Sequence, residues 1–266
     1  MQQAHDFLKE SRLLYELLLK RNESDYELIT QFKNWSIEDV IGHLYLFNVA
    51  AIITVDGPKS FEEFFIPFLQ QLQKGKTMVE AQVLWLNGLS GKILLNKWWD
   101  SCLELEKIYS NTDPKLRVKW AGPEMSARSS ITARQMETWS HGHEVFDRLG
   151  QKREEGDHIK NIVHLGVSTL EWTFVNRNIQ PPKNKPFVLL NLPSQTAISY
   201  NEEGNDSFIK GSAVEFCQVV TQVRNIDDTS LNVVGDVATT WMKFAQCFAG
   251  KPVDPPKKGT RFIQLK

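Results

Sequence analysis

Apolar residues recur at helical spacing through the first two thirds of the chain and in short alternating runs after that. Leu8, Leu13, Leu14, Leu17 and Leu18 fall three to four apart within residues 4–22, which predicts an amphipathic helix with one core-facing stripe. NWSIEDVIGHLYLFNVAAIITVDGP predicts a second helix. Ser36 is its N-cap, Asp39 completes a variant capping box three residues on, and Gly57-Pro58 ends it. KSFEEFFIPFLQQLQKG predicts a third, with acid in its first turn where the helix dipole favours it. A fourth runs from about Val83 through KILLNKWWDSCLELEKIYS, with a break at Gly88–Gly91. After the turn-rich loop KWAGPEMSARSS comes a helix that stops at Gly150, and HIKNIVHLGVSTLEWTFVNRN predicts one more.

The pattern changes at IQPPKNKP, where Pro181, Pro182 and Pro186 mark residues 181–186 as a linker. Beyond it FVLLNL, TAISYN, SFIKG and LNVVG are short β-branched or aromatic runs that predict strands. SAVEFCQVVTQV and ATTWMKFAQCFAG predict helices, and KPVDPPKKGTRF a loose tail. The fold class is therefore α+β: a helical bundle over 1–180 and a small α+β domain over 187–266.

Composition narrows the classes. A chain of 266 residues can bury one large core or two ordinary ones. With 31 basic and 32 acidic residues it has a formal charge of -1, so nothing electrostatic points to nucleic acid or an anionic membrane. The opening MQQAHDFLKESRLL lacks the basic start and apolar core of a signal peptide, and no apolar run is expected to reach the roughly 20 residues of a membrane span. Cys102, Cys217 and Cys247 are too few and scattered for a disulfide framework or a cysteine zinc site, so a cytoplasmic address is expected. There is no Gly-rich phosphate loop, nucleophile elbow or Rossmann fingerprint.

The candidate chemistry lies in RQMETWSHGHEVFDRLG, residues 134–150. At about 100° per residue, Glu137 and His141 share a face with Arg134, Glu144 and Arg148. One reading is a solvated stripe of staggered pairs, Arg134–Glu137, His141–Glu144 and Glu144–Arg148, each contributing a few tenths of a kcal/mol. The other is that Glu137 and His141 hold a divalent metal, since a carboxylate and an imidazole one turn apart can converge on one ion. A third ligand would then come from a facing helix, and His43, at the margin of the second helix's apolar stripe, is the candidate.

The tryptophan before DVIGHL, the loop WAGPEMSARS and the run TARQMETWSHGHEVFDRLG resemble the DinB-like superfamily. The nearest likeness is to its branch carrying the metal-binding domain of mycothiol-dependent maleylpyruvate isomerase, and within it to bacterial members described only as metal-binding. VVGDVATTWMKFAQCFAG and the α+β tail resemble that branch's second domain, so the likeness spans nearly the whole chain. The resemblance implies a DinB-like four-helix bundle with zinc or another divalent metal held by His43, Glu137 and His141. It implies a low-molecular-weight thiol such as mycothiol as cosubstrate, and a second-domain arginine, here Arg224, holding the substrate carboxylate at the catalytic site. It also allows a homodimer.

Alternatives remain open around that core. Arg224 pairs instead with Asp227 or Asp228, or yields the anion to Arg128 or Arg134. Glu144 is read as an acceptor orienting His141, His143 as a surface residue and His164 as a buried structural one. Trp35, Trp120 and Trp139 either wall the cavity or fill the core. The lysine-rich, alanine-poor composition argues weakly against mycothiol, and no residue signature for its sugar is present. The functional readings are a thiol-dependent transferase or isomerase, a non-catalytic small-molecule or lipid-binding protein with a structural or vestigial metal, and a metal-dependent hydrolase.

Overall fold

In a computed structural model describing residues 1–204 and 206–265, four long helices form a ring around one core. They are α1 (Gln2–Leu19), α2 (Ile37–Ile53), and two that follow the shorter α3 (Pro58–Gln73) and α4 (Met78–Leu86), namely α5 (Gly91–Asn111) and, after a two-strand ribbon β1 (Arg117–Val118) and β2 (Met125–Ser126), α6 (Ala127–Arg148). α1 packs on α5 and α6, and α2 packs on the same two, which closes the bundle; α3 and α4 lie against α2. The α1 stripe that is buried is Ala4, Phe7, Leu14 and Leu18, while Leu8, Leu13 and Leu17 are half-buried flanks.

Local sequence sets the helix ends. Ser36 Oγ accepts from Asp39 N–H and Asp39 Oδ2 accepts from Ser36 N–H, so the expected capping box starts α2. The expected fourth helix is two. Thr77 and Glu80 form a second capping box that starts α4 at Met78, ahead of Val83. Asn87, Gly88 and Gly91 at positive φ then turn the chain into α5.

The segment Ile37–Asp56, with mean hydropathy 1.4, is long and apolar enough to cross a bilayer, contrary to the expectation from run length. Here it is α2, covered by α4, α5 and α6. All three cysteines are buried, and none forms a disulfide.

Packing groups the chain into two compact units that meet in sequence at Arg148/Leu149. The second unit holds α7 (Lys160–Ser168), α8 (Leu170–Val175), β3 (Phe187–Asn191), β4 (Ala197–Tyr200), β5 (Phe208–Ser212), α9 (Ala213–Val220), β6 (Asn232–Val234) and α10 (Asp236–Phe244). The sheet order is β4-β3-β5-β6, with β3 and β5 parallel and the outer pairs antiparallel. The reason α7 belongs here is Gly166. A Cβ there would lie 2.8 Å from Val220 Cγ2 and 3.0 Å from Phe216, so α7 rests directly on α9. Residues 181–186 connect α8 to β3 within this unit.

The tail expected to be loose has no regular structure but is tied down. Val253 N–H donates to Gln246 Oε1, Gly259 N–H to the Asp228 carboxylate, and Arg261 Nη1 to the Gln222 carbonyl. Asp228 and Gln222 lie 31 and 39 residues from their tail partners, and no local pattern announces them.

Candidate metal centre

The helix α2 brings His43 to face Glu137 and His141 of α6. His43 Nε2 lies 3.7 Å and His141 Nε2 3.5 Å from Glu137 Oε2. One ligand atom from each residue falls within 4.8 Å of the others. Donors around a tetrahedral zinc with bonds of about 2.0–2.2 Å are roughly 3.3–3.6 Å apart, close to the two edges that meet at Glu137. Both imidazoles are buried, and the Glu137 side chain is 25% exposed, which leaves the open side of the cluster at the carboxylate.

An aromatic shell fixes the imidazoles. Trp35 stacks on His141 at 5.9 Å and 9° and lies 5.2 Å from His43. Phe47, one turn beyond His43, packs at 4.7 Å on its ring, and Phe32 meets His141 edge-on at 5.0 Å. Among the described residues the buried His43 Nδ1 has no hydrogen-bond partner, so aromatic packing and the Glu137 contact at Nε2 orient that ring.

Phe32 and Trp35 reach the site through a tight turn that sequence reasoning missed. Lys33 and Asn34 have φ of 49° and 58°, the type I′ form, and Trp35 N–H donates to Phe32 O at 2.8 Å. Thr30 Oγ1 and N–H both donate to Trp35 O, and Ile29 bridges to Ser36, so the turn feeds straight into the cap of α2. Asn34 was the available signal, since asparagine tolerates positive φ; Lys33 hides it.

The α6 stripe is not solvated. Glu144 is buried and its Oε2 accepts from His141 Nδ1 at 3.2 Å, as the orienting role requires. Arg134 is 2% exposed and turned inward, so it is neither a surface ion-pair partner nor open to an anion from solvent. Arg128 is exposed. His143 is buried against Trp139 with ring centroids 4.3 Å apart, which corrects the surface assignment: the face of α6 opposite Glu137 and His141 also meets the core. His164 is exposed, 6.1 Å from the Tyr200 ring, so it is not the buried structural histidine its apolar neighbours suggested. Trp120 is half-buried and touches Phe47 and Phe61, whereas Trp139 is core. In the second unit Arg224 is half-buried and its Nη1 donates to Val223 O, while Asp228 accepts from Gly259.

Charge in the cluster is unevenly held. Burial pushes the His43 imidazole down to about 4, against the pull of Glu137. Burial opposes charge on His141 too, but Glu144 and Glu137 outweigh it and raise that imidazole to about 9. Burial raises the Glu137 carboxyl, and the two imidazoles overcome it and hold it well below the usual carboxylate range. At pH 7 the metal-free cluster thus carries its proton on His141. Ligation requires neutral imidazole, so zinc binding at pH 7 is expected to release about one proton, and affinity should climb as pH rises toward 9. Calorimetric titration in buffers of differing ionisation enthalpy checks this; zinc uptake without proton release contradicts it.

Two imidazole nitrogens and a carboxylate oxygen suit zinc or a similar divalent ion, and three protein donors leave positions for other ligands. Residues 8–146, just over half the chain, match the family described as the mycothiol maleylpyruvate isomerase N-terminal domain. Proteins designated uncharacterized from two strains of Mycobacterium tuberculosis are each 33% identical over 223 residues, 84% of this chain and 86% of theirs. Crystal structures of the mycothiol-dependent maleylpyruvate isomerase and of a histidine-to-alanine mutant share the fold with TM-score 0.52, at 13% and 12% identity over 82% of this chain and 87% of theirs. By its bundle sequence and by relatives that match most of its length, this chain belongs to the mycothiol maleylpyruvate isomerase N-terminal domain family.

Proposed function

We propose that the protein is a divalent-metal, thiol-dependent isomerase or transferase acting on a small electrophilic acid, with His43, Glu137 and His141 as the metal ligands. The carrying observation is the convergence of the two Nε2 atoms on Glu137 Oε2 inside an aromatic shell. Family membership supports the same reading. A divalent ion held there supplies an open coordination position that lowers the pKa of a low-molecular-weight thiol, so that thiolate, the nucleophile, exists at neutral pH.

The protein's own groups do the rest. Glu144 holds the proton on His141 Nδ1 and so keeps Nε2 facing the donors. Trp35, Phe32 and Phe47 exclude water from the imidazoles. Arg224 is assigned to hold the substrate carboxylate, on the strength of the second-domain arginine that the family resemblance implies. The hydrolase reading needs Glu144 as a base beside a metal-bound water. Its carboxylate instead engages His141 Nδ1, on the opposite side of the ring from the ligand atom, which disfavours that role.

Mycothiol is the thiol named for the similar crystal structures, while the lysine-rich composition points away from it. A panel of mycothiol, bacillithiol, glutathione and cysteine with maleylpyruvate-type acids is the test. Turnover is expected only with both metal and a thiol. Arg224→Ala should lower kcat/KM by roughly 10- to 100-fold, the effect of one lost charge-assisted contact. Turnover without thiol, or ligand binding with no turnover by any thiol, would replace this reading with the hydrolase or the binding protein.

A further inference from the structure

Arg134 sits one turn before Glu137 on the same stripe of α6 and is almost wholly buried. Its Nε donates to Asn48 Oδ1 at 3.1 Å, and its Nη2 to Leu44 O at 3.2 Å, so both acceptors belong to the turn of α2 that follows His43. Its guanidinium also lies over Phe47, the ring that packs on His43. Asn48 is held in turn by α5, where its Nδ2 donates to Ser101 Oγ and Cys102 Sγ. Farther along, Tyr109 hydroxyl donates to Ala51 O and meets Ser130 Oγ. Moving forward on α2 from His43 through Asn48 to Ala51 thus means moving backward on α6 from Glu137 through Arg134 to Ser130. The helices run antiparallel, and each polar crosslink fixes the same register.

A slip of α6 by one residue would shift its ligands by about 1.5 Å and turn them about 100° away from His43. Apolar packing tolerates small adjustments better than a two-point hydrogen bond does, because a hydrophobic contact is non-directional. Among the described residues Arg134 pairs with no carboxylate at ion-pair distance; its hydrogen bonds go to the amide and the carbonyl. A lone buried cation is costly to desolvate, and its two hydrogen bonds only partly offset that cost.

We infer that Arg134, braced by Asn48, is a positioning residue that sets the α2–α6 register and thereby brings His43 into line with Glu137 and His141; the inference rests on the metal reading of that cluster. Arg134 touches neither metal nor substrate in this role, and it acts through the two helices.

The test compares wild type, Arg134→Met, Arg134→Lys and His141→Ala as purified metal-free proteins. Zinc affinity is measured by chelator competition, thermal unfolding is followed without metal, and the visible absorption of the cobalt(II)-loaded forms is recorded. Arg134→Met, which leaves the buried Asn48 Oδ1 without its guanidinium donor, is expected to unfold at or modestly below the wild-type temperature, yet to bind zinc about 10- to 100-fold more weakly, the usual cost of losing a group that orients metal ligands. Its cobalt spectrum should change shape, which a purely structural substitution would not cause. Arg134→Lys, able to reach only one of the two acceptors, should also bind more weakly than wild type. Should Arg134→Met fail to fold, Arg134→Lys carries the comparison. Wild-type zinc affinity and an unchanged cobalt spectrum in a folded Arg134 variant overturn the inference. Wild type binding zinc no better than His141→Ala instead overturns the metal reading, and this inference with it.

Discussion

Purified protein is expected to hold close to one divalent ion per chain, and His43→Ala and His141→Ala are each expected to lose it. Structural zinc sites in zinc-finger peptides bind with roughly 10–16 kcal/mol at neutral pH, so one lost ligand should cost about 3–5 kcal/mol, or two to four powers of ten in affinity. His141→Ala should be the more severe. It removes a ligand and also takes away the imidazole that the buried Glu144 carboxylate faces. His43→Ala removes a ring whose Nδ1 has no hydrogen-bond partner among the described residues, so its further cost is the packing lost against Trp35 and Phe47. Elemental analysis of the three proteins after dialysis gives the answer directly. Equal metal in all three would falsify the ligand set, and with it the chemistry proposed for the bundle.

The largest stability effect should come from Trp139→Ala. Trp139 lies between Glu137 and His141 in sequence but faces the other way, wholly buried and packed on His143. Truncating a buried tryptophan removes its transfer free energy and leaves a cavity, together about 3–5 kcal/mol. For a unit of this size each kcal/mol lowers the melting temperature by about 2–4 °C, so a drop of roughly 6–20 °C is expected. The folded variant should keep its metal, since the ring lies on the face of α6 turned away from Glu137 and His141. Thermal scans paired with metal analysis separate the two roles: retained stability with lost metal would place Trp139 in the site rather than in the core. The pair of experiments uses one helix to divide chemistry from packing.

How much of this was legible depends on how far the causes lie apart along the chain. The capping box at Ser36 and Asp39 is a three-residue device, and it was readable because everything it needs is within one turn. The Glu137–His141 pair was readable for the same reason, being one turn apart on one helix. His43 could be offered as the partner, but its own helix gives it no partner for Nδ1 and no neighbour that demands a metal. His143 and His164 were misplaced because local context was used for a tertiary property. A polar face on α6 looked outward, but that helix is covered on more than one side. Apolar neighbours around His164 suggested burial, but its position on α7 points away from the α9 contact made at Gly166.

By itself the sequence determined the α+β class, the helical bundle followed by strands, the start of α2 and the stripe that carries Glu137 and His141. Periodicity, caps and glycines act over a few residues, so they act in the unfolded chain as well as the folded one. Tertiary structure alone decided that the stripe is buried, that packing divides the chain after Arg148, and that His43 stands 3.7 Å from Glu137. The physical reason is that the antiparallel register of α2 and α6 joins residues nearly a hundred positions apart. Its determinants, Arg134 on one helix and Asn48 on the other, have no meaning until the helices meet.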